Sequence, residues 1–295
     1  MITDFFHGLP IRSLENDHLR VDYLLEAGPR LARLILAGST DNLLAEVPDV
    51  HWPTPWGEYH LRGGHRVAIA PEALGLSYVP DDNDLVVEDV PGGVRLIRPT
   101  EIGSGVSKSI EIQLQPDRPA LTLRHAVCND RSEPIEIAAW SITQLALGGI
   151  AVAPWRTASV VNYHRPDRHL TLWPYTSWRD ERLLVDDDYV WITARPEPQE
   201  LKIGVLAGGW LGYLRSGVFF VKRFDPQLGL LHPDLNTNAQ LYCHDRFIEL
   251  ETLAPLAVLE PGQSSVHVET WEIYRDIDVP PSIEGLSQLI RTLAL

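Results

Sequence analysis

Residues 106–115 read Val-Ser-Lys-Ser-Ile-Glu-Ile-Gln-Leu-Gln, and their order decides the fold class. Val106, Ile110, Ile112 and Leu114 alternate with Ser107, Ser109, Glu111, Gln113 and Gln115, the period of two by which a strand buries one face and wets the other. Only Lys108 breaks the apolar side. Outward from this stretch, runs of the same kind recur at 19–25, 31–36, 84–90, 94–98, 121–128, 135–140, 189–194, 201–206, 218–224, 241–250 and 266–274. Turn residues separate them, as in Pro91-Gly92-Gly93, Pro116-Asp117, Asn129-Asp130 and Pro261-Gly262. The pattern predicts an all-β chain of two large, mainly antiparallel sheets, forming one domain over residues 1–295 with no internal repeat. One helix is expected, at about 282–294, where Ser282 can cap and Ile283, Leu286, Leu289, Ile290 and Leu293 fall on one stripe packed at the sandwich edge.

Composition narrows the function classes. Twenty-three prolines and 21 glycines interrupt the chain too often for a helical bundle. Forty acidic residues against 25 basic ones give a net charge of −15, which repels nucleic-acid phosphates and anionic lipid alike, so neither nucleic acid nor membrane is an expected partner. Two distant cysteines, Cys128 and Cys243, imply no disulfide framework and suit a reducing cytoplasm. The opening MITDFFHGLP carries no signal-like pattern, and no run of 18 apolar residues occurs. Without a P-loop, a dinucleotide fingerprint, a GxSxG elbow or an HExxH pair, no cofactor and no metal is expected. Oligomeric state is not legible.

Segments 46–80 and 153–188 hold most of the Trp, His, Arg and Pro and have weak periodicity, which marks them as irregular loops suited to a site. In the first, Gly63-Gly64-His65-Arg66 precedes Ala70-Pro71-Glu72. Two glycines allow close approach to a ligand, His65 titrates and Arg66 offers a fork of donors; a plain turn with Arg66 on a surface carboxylate fits as well. In the second, Trp173, Tyr175, Asp180 and Arg182 combine aromatic faces with paired charges, as a pyranose site requires, or anchor a loop to the core.

Within the strands, alternation puts Glu249 and Glu251 on one face, where they are either solvated charges or a like-charged pair with one raised pKa. Trp140 falls on the polar face of its run and can line a cleft. Lys222 follows Val218 and Phe220 on an apolar face, which hints at a buried partner or an edge. His125 shares the parity of Leu121, Leu123 and Val127, as a core histidine does, and His244 has the opposite parity to the two glutamates.

Taken in order, GPRL (28–31), DNLL (41–44), GGHR with APE (63–72), AAWSIT (138–143), LWPYTSWRDER (172–182), FVKRF (220–224) and ELETLAPLAVLEPG (249–262) resemble a bacterial family grouped with the galactose mutarotase-like, or aldose 1-epimerase-like, superfamily. The resemblance spans nearly the whole chain and implies a β-supersandwich with a sugar on a concave sheet surface. It also implies that Glu251, in Leu250-Glu251-Thr252 ahead of Pro261-Gly262, is the general base with Glu249 as its neighbour, and that Arg66 binds sugar hydroxyls. Where aldose 1-epimerases carry an Asn-His segment supplying the acid, this chain reads Ala139-Trp140-Ser141-Ile142-Thr143, which leaves His65 as the substitute acid by composition.

The expected ligand is a small carbohydrate. Catalytic candidates are Glu251, Glu249 and His65; binding candidates are Arg66, Glu72, Trp140, Trp173, Tyr175, Asp180, Arg182 and Lys222. The first functional expectation is opening and reclosure of a sugar hemiacetal. A non-catalytic sugar-binding protein and an enzyme of different chemistry on the same scaffold are the alternatives.

Overall fold

The computed structural model describes residues 4–155 and 166–295, and the remainder of the 153–188 segment, 156–165, lies outside the described residues. Two large antiparallel sheets face each other, one of eleven strands and one of ten, with a separate two-stranded hairpin beside them. Side by side at the heart of the first sheet lie Arg30–Leu36, His65–Ala70, Ile135–Leu145, Ile248–Leu253, Ala239–Cys243 and Leu201–Val205. The matching part of the second sheet is Trp210–Arg215, Val218–Phe224, Ser264–Tyr274, Ala120–Asn129 and Val106–Leu114. Val106, Ile110 and Ile112 are buried completely, as their alternation requires. Lys108, the exception on that face, is tied to the buried Glu101 carboxylate at 2.7 Å.

Three segments differ from expectation. Residues 241–250 are two strands rather than one, Ala239–Cys243 and Ile248–Leu253, joined by a turn that the continuous apolar pattern conceals. The presumed loop 46–80 contains the hairpin Glu46–Thr54 with Gly57–Gly63 and the central strand His65–Ala70. The glycines between those strands serve backbone contact within the fold rather than ligand approach. Gly63 (φ +92°) and Gly64 (φ +77°) bring the chain so near Ala45 and Leu31 that a Cβ at either would fall 2.0 Å from a carbonyl oxygen. The third difference is where the tail packs. Helix Ile283–Leu293 is capped by Ser282, whose hydroxyl accepts from the Gly285 amide at 3.2 Å. Its Leu286, Leu289 and Ile290 cover the outer face of the second sheet against Val152, Trp191 and Phe219, not the sandwich edge. None of the described helices is long and apolar enough to cross a membrane.

Between the sheets the apolar core surrounds a polar inlay that corrects two site expectations. Lys222 is buried completely, and its Nζ lies 3.0–3.3 Å from Ser141 O, Ser141 Oγ, Thr143 Oγ1, Leu250 O and Glu269 Oε1. It spans from the second sheet to the first and is not a ligand-binding residue of a cleft. His65 also points inward: Nδ1 meets Thr143 Oγ1 at 2.9 Å and Nε2 meets His125 Nε2 at 2.7 Å. Burial, and then the neighbouring His125, push the His65 pKa well below its ordinary value, while burial takes His125 down to about 4. Both rings are therefore neutral at pH 7. His65, His125 and Glu269 each bring one ligand atom within 4.8 Å of the others. The Lys222 ammonium already neutralises that carboxylate, and the two imidazoles hydrogen-bond each other, so the cluster is satisfied as it stands.

Candidate functional site

The outer face of the first sheet, opposite the inlay, carries the polar side chains that alternation leaves over. Register assembles them in rows. Arg66 stands opposite Ile142, Ile142 opposite Glu251, and Glu251 opposite Gln240. The next row runs Gln144, Glu249, Tyr242, Lys202. Because successive residues of a strand face opposite ways, the strand that sends His65 into the core must present Arg66 on this face.

Above the rows lies a cleft of about 570 Å³. The hairpin supplies Val50, Trp52 and Leu61 to one wall, the segment after Leu170–Leu172 supplies Trp173 and Tyr175, and the turn at 244–247 closes another side. Its floor includes Arg66, Trp140, Lys202 and Glu249, with Glu72, Tyr78, Glu200 and Tyr242 around them. Glu251 lies just below, completely buried, its Oε2 accepting from Trp140 Nε1 at 2.8 Å and from Lys202 Nζ at 3.0 Å. The same ammonium stands 4.8 Å from the Trp140 ring centroid and 4.9 Å from that of Trp173, so one cation organises both indoles and the carboxylate. Burial works against the Lys202 charge, but Glu251, Glu72 and Glu249 outweigh it and raise its pKa.

Glu249 reaches the cleft itself. Its Oε1 accepts from Gln144 Nε2 at 2.9 Å and faces Arg66 Nη2 at 3.7 Å. Burial, and then the Glu251 charge beside it, push its pKa up to about 8, with Arg66 and Lys202 working the other way. Several buried polar atoms here find no hydrogen-bond partner among the described residues: Nε and Nη1 of Arg66, Oε1 of Glu251, and the side-chain oxygens of Gln144 and Gln240. Such atoms cost free energy unless a ligand or water satisfies them.

Solved structures share this architecture over nearly the whole chain. A TPR-domain containing protein from Parabacteroides distasonis matches at 14% identity with a TM-score of 0.62, over 92% of this chain and 48% of its own, so the chain spans about half the length of that protein. A candidate aldose 1-epimerase from Klebsiella pneumoniae matches at 11% identity and 0.59, over 97% and 83%. A galactose mutarotase-like protein from Lactobacillus casei matches at 10% and 0.56, over 90% and 100%. The fold is galactose mutarotase-like. At these identities the likeness speaks for the fold alone. No protein-family model matches the chain, and no curated protein matches it by sequence.

Within this mutarotase-like frame the sequence candidates divide cleanly. Arg66, Glu72, Trp140, Trp173, Tyr175 and Glu249 line one cleft, with Glu251 beneath. His65 and Lys222 belong to the inlay. Asp180 and Arg182 lie outside the cleft lining: the buried Arg182 is engaged by Asp180 at 2.7 and 3.0 Å and by Gln199 O at 2.6 Å, which fastens the 173–182 segment. Sequence reasoning missed Lys202, Glu200, Tyr78, Tyr242 and Gln144. For Lys202 a signal existed, a lone cation within the apolar run 201–206. It also set His244 aside by parity; the turn breaks that parity, and His244 lines the cleft with Nδ1 at 2.5 Å from Asp245.

Proposed function

We propose that the cleft binds a carbohydrate and opens and recloses its hemiacetal, with Glu249 as the group that exchanges the proton. The observation that carries this is a buried arginine, Arg66, with two donors unpaired, beside a cleft-lining carboxyl of raised pKa and beneath the faces of Trp140 and Trp173. Indole and phenol faces suit the C–H side of a pyranose, and the unpaired donors of Arg66 suit its hydroxyl oxygens. The role that the resemblance gives to Glu251 passes here to Glu249. Glu251 is sealed under Trp140 and Lys202, and its charge is one of the two causes that keep the Glu249 proton in place at neutral pH.

Ring opening breaks the bond between the anomeric carbon and the ring oxygen, which needs a proton delivered to the ring oxygen and another removed from the anomeric hydroxyl. Protonated Glu249 supplies the first. His244, held by Asp245 on the same cleft, has a ring nitrogen for the second. Reclosure on the other face of the carbonyl returns both protons, so nothing is consumed.

The test is polarimetry of a freshly dissolved α-aldose. Accelerated equilibration that is lost in Glu249→Gln, with sugar binding retained, supports the proposal; binding without acceleration in the wild type sinks the catalytic part. That second outcome is the sugar-binding reading, which the withdrawal of His65 into the core favours.

A further inference from the structure

The charges around the cleft do not cancel evenly. Each cation on its lining has a carboxylate of its own: Lys202 has Glu251 at 3.0 Å, Arg246 has Asp49 at 2.7 and 3.0 Å, Arg66 faces Glu249 at 3.7 Å, and His244 has Asp245. Two lining carboxylates, Glu72 and Glu200, have no cation within ion-pairing distance among the described residues. A phenol serves each instead, Tyr78 donating to Glu72 and Tyr242 donating to Glu200 at 2.8 Å. Tyr175 marks where the carboxylates converge: burial, and then the charges of Glu251, Glu200, Glu72 and Glu249, hold its hydroxyl proton far more tightly than in an ordinary phenol. Trp52 and Tyr78 pack edge to face at 5.2 Å on the same wall.

Carboxylates without counter-cations, set among aromatic faces, form an environment that attracts an ammonium group both by charge and by the ring quadrupoles. Arg66, nine-tenths buried with two unpaired donors, shows separately that the cleft is built to hold an acceptor-bearing ligand. We propose that the preferred ligand is a sugar bearing a free amine, its ammonium held by Glu72 and Glu200 and its hydroxyls by Arg66, and that phosphorylated and other anionic sugars are disfavoured. This rests on the carbohydrate reading of the cleft.

The measurement is titration of tryptophan fluorescence, checked by calorimetry, with glucosamine, glucose, N-acetylglucosamine and glucose 6-phosphate. It is made at about pH 6.5, below the usual range for an amino group of this kind. Glucosamine is expected to bind at least about ten-fold more tightly than glucose, with N-acetylation removing the gain. The advantage is expected to shrink as ionic strength rises from about 0.01 to about 1 M and the screening length falls from about 30 to about 3 Å. In Glu72→Gln/Glu200→Gln the ratio of the two affinities falls toward one, whatever happens to glucose binding itself. The wild-type series stands even where that variant fails to fold. Equal affinity for glucosamine and glucose, or tighter binding of glucose 6-phosphate, overturns the inference and leaves the carbohydrate reading intact. Binding of none of the four overturns both.

Discussion

Replacing Glu269 by Gln probes the inlay that ties the two sheets together. Lys222 and Glu269 are both buried completely, and Lys222 projects from the second sheet to Ser141, Thr143 and Leu250 of the first. Besides Lys222 at 3.0 Å, Glu269 takes hydrogen bonds from Trp271 Nε1 at 2.9 Å and from Thr252 Oγ1. Burial alone would raise the Glu269 pKa; Lys222 outweighs it and holds the carboxyl well below the usual range. The substitution changes little in shape but removes the compensating charge and leaves an ammonium in the core. Breaking one side of a buried pair costs about 3–5 kcal/mol. With roughly 2 °C lost per kcal/mol in a chain of this size, the melting temperature should fall by about 6–10 °C. Urea denaturation gives the free energy directly, and the double change Lys222→Met/Glu269→Leu, which removes both charges, should recover most of the loss. A Glu269→Gln protein within about 1 kcal/mol of wild type would refute the view that Lys222 depends on this carboxylate.

Four further outcomes follow from the same geometry. Glu249→Gln should lower hemiacetal equilibration by about 10²–10⁴-fold, as expected when a general acid is lost, and wild-type activity should decline as pH rises through about 8, where Glu249 gives up its proton. Because the folded-state pKa of Glu249 lies above its ordinary 4.5, the wild type loses stability as pH rises from 4.5 to about 8. Glu249→Gln lacks that loss, so its stability relative to wild type should climb across the window, on the order of a few kcal/mol, and level off above it; a flat difference in denaturation experiments at several pH values would disprove the raised pKa. Gly64→Ala should cost more than about 2 kcal/mol, since its Cβ meets a carbonyl oxygen, whereas Gly8→Ala, with φ +88° and open space around it, should cost about 1–2 kcal/mol; equal losses would contradict the close approach. Ser282→Ala should destabilise by about 0.5–2 kcal/mol through loss of the helix cap, seen as earlier unfolding in calorimetry.

Much of the fold was written in local patterns. Period-two alternation marks strands because side chains leave a pleated backbone on alternating sides, and the helix stripe after Ser282 is equally local. The same rule put Glu249 and Glu251 on one face and consigned His125 to the core. Alternation fixes only relative orientation, however. It establishes that His65 and Arg66 point opposite ways, but which of them looks into the core depends on the strands that His65–Ala70 joins, Arg30–Leu36 and Ile135–Leu145. Lys222 reads as an oddity on an apolar strand until Glu269, far along the chain, arrives beside it. The break within 241–250 was invisible because Phe247 and Ile248 continue the apolar run through the turn, so His244 was assigned a parity that the turn cancels. The hairpin 46–63 escaped notice because its residues face a cleft on one side and water on the other, which removes the contrast between apolar and polar faces that a sequence can display. Local periodicity thus determined the strands and the grouping of residues by face, while long-range pairing decided which face is the core, because only the partner strands settle where water is excluded.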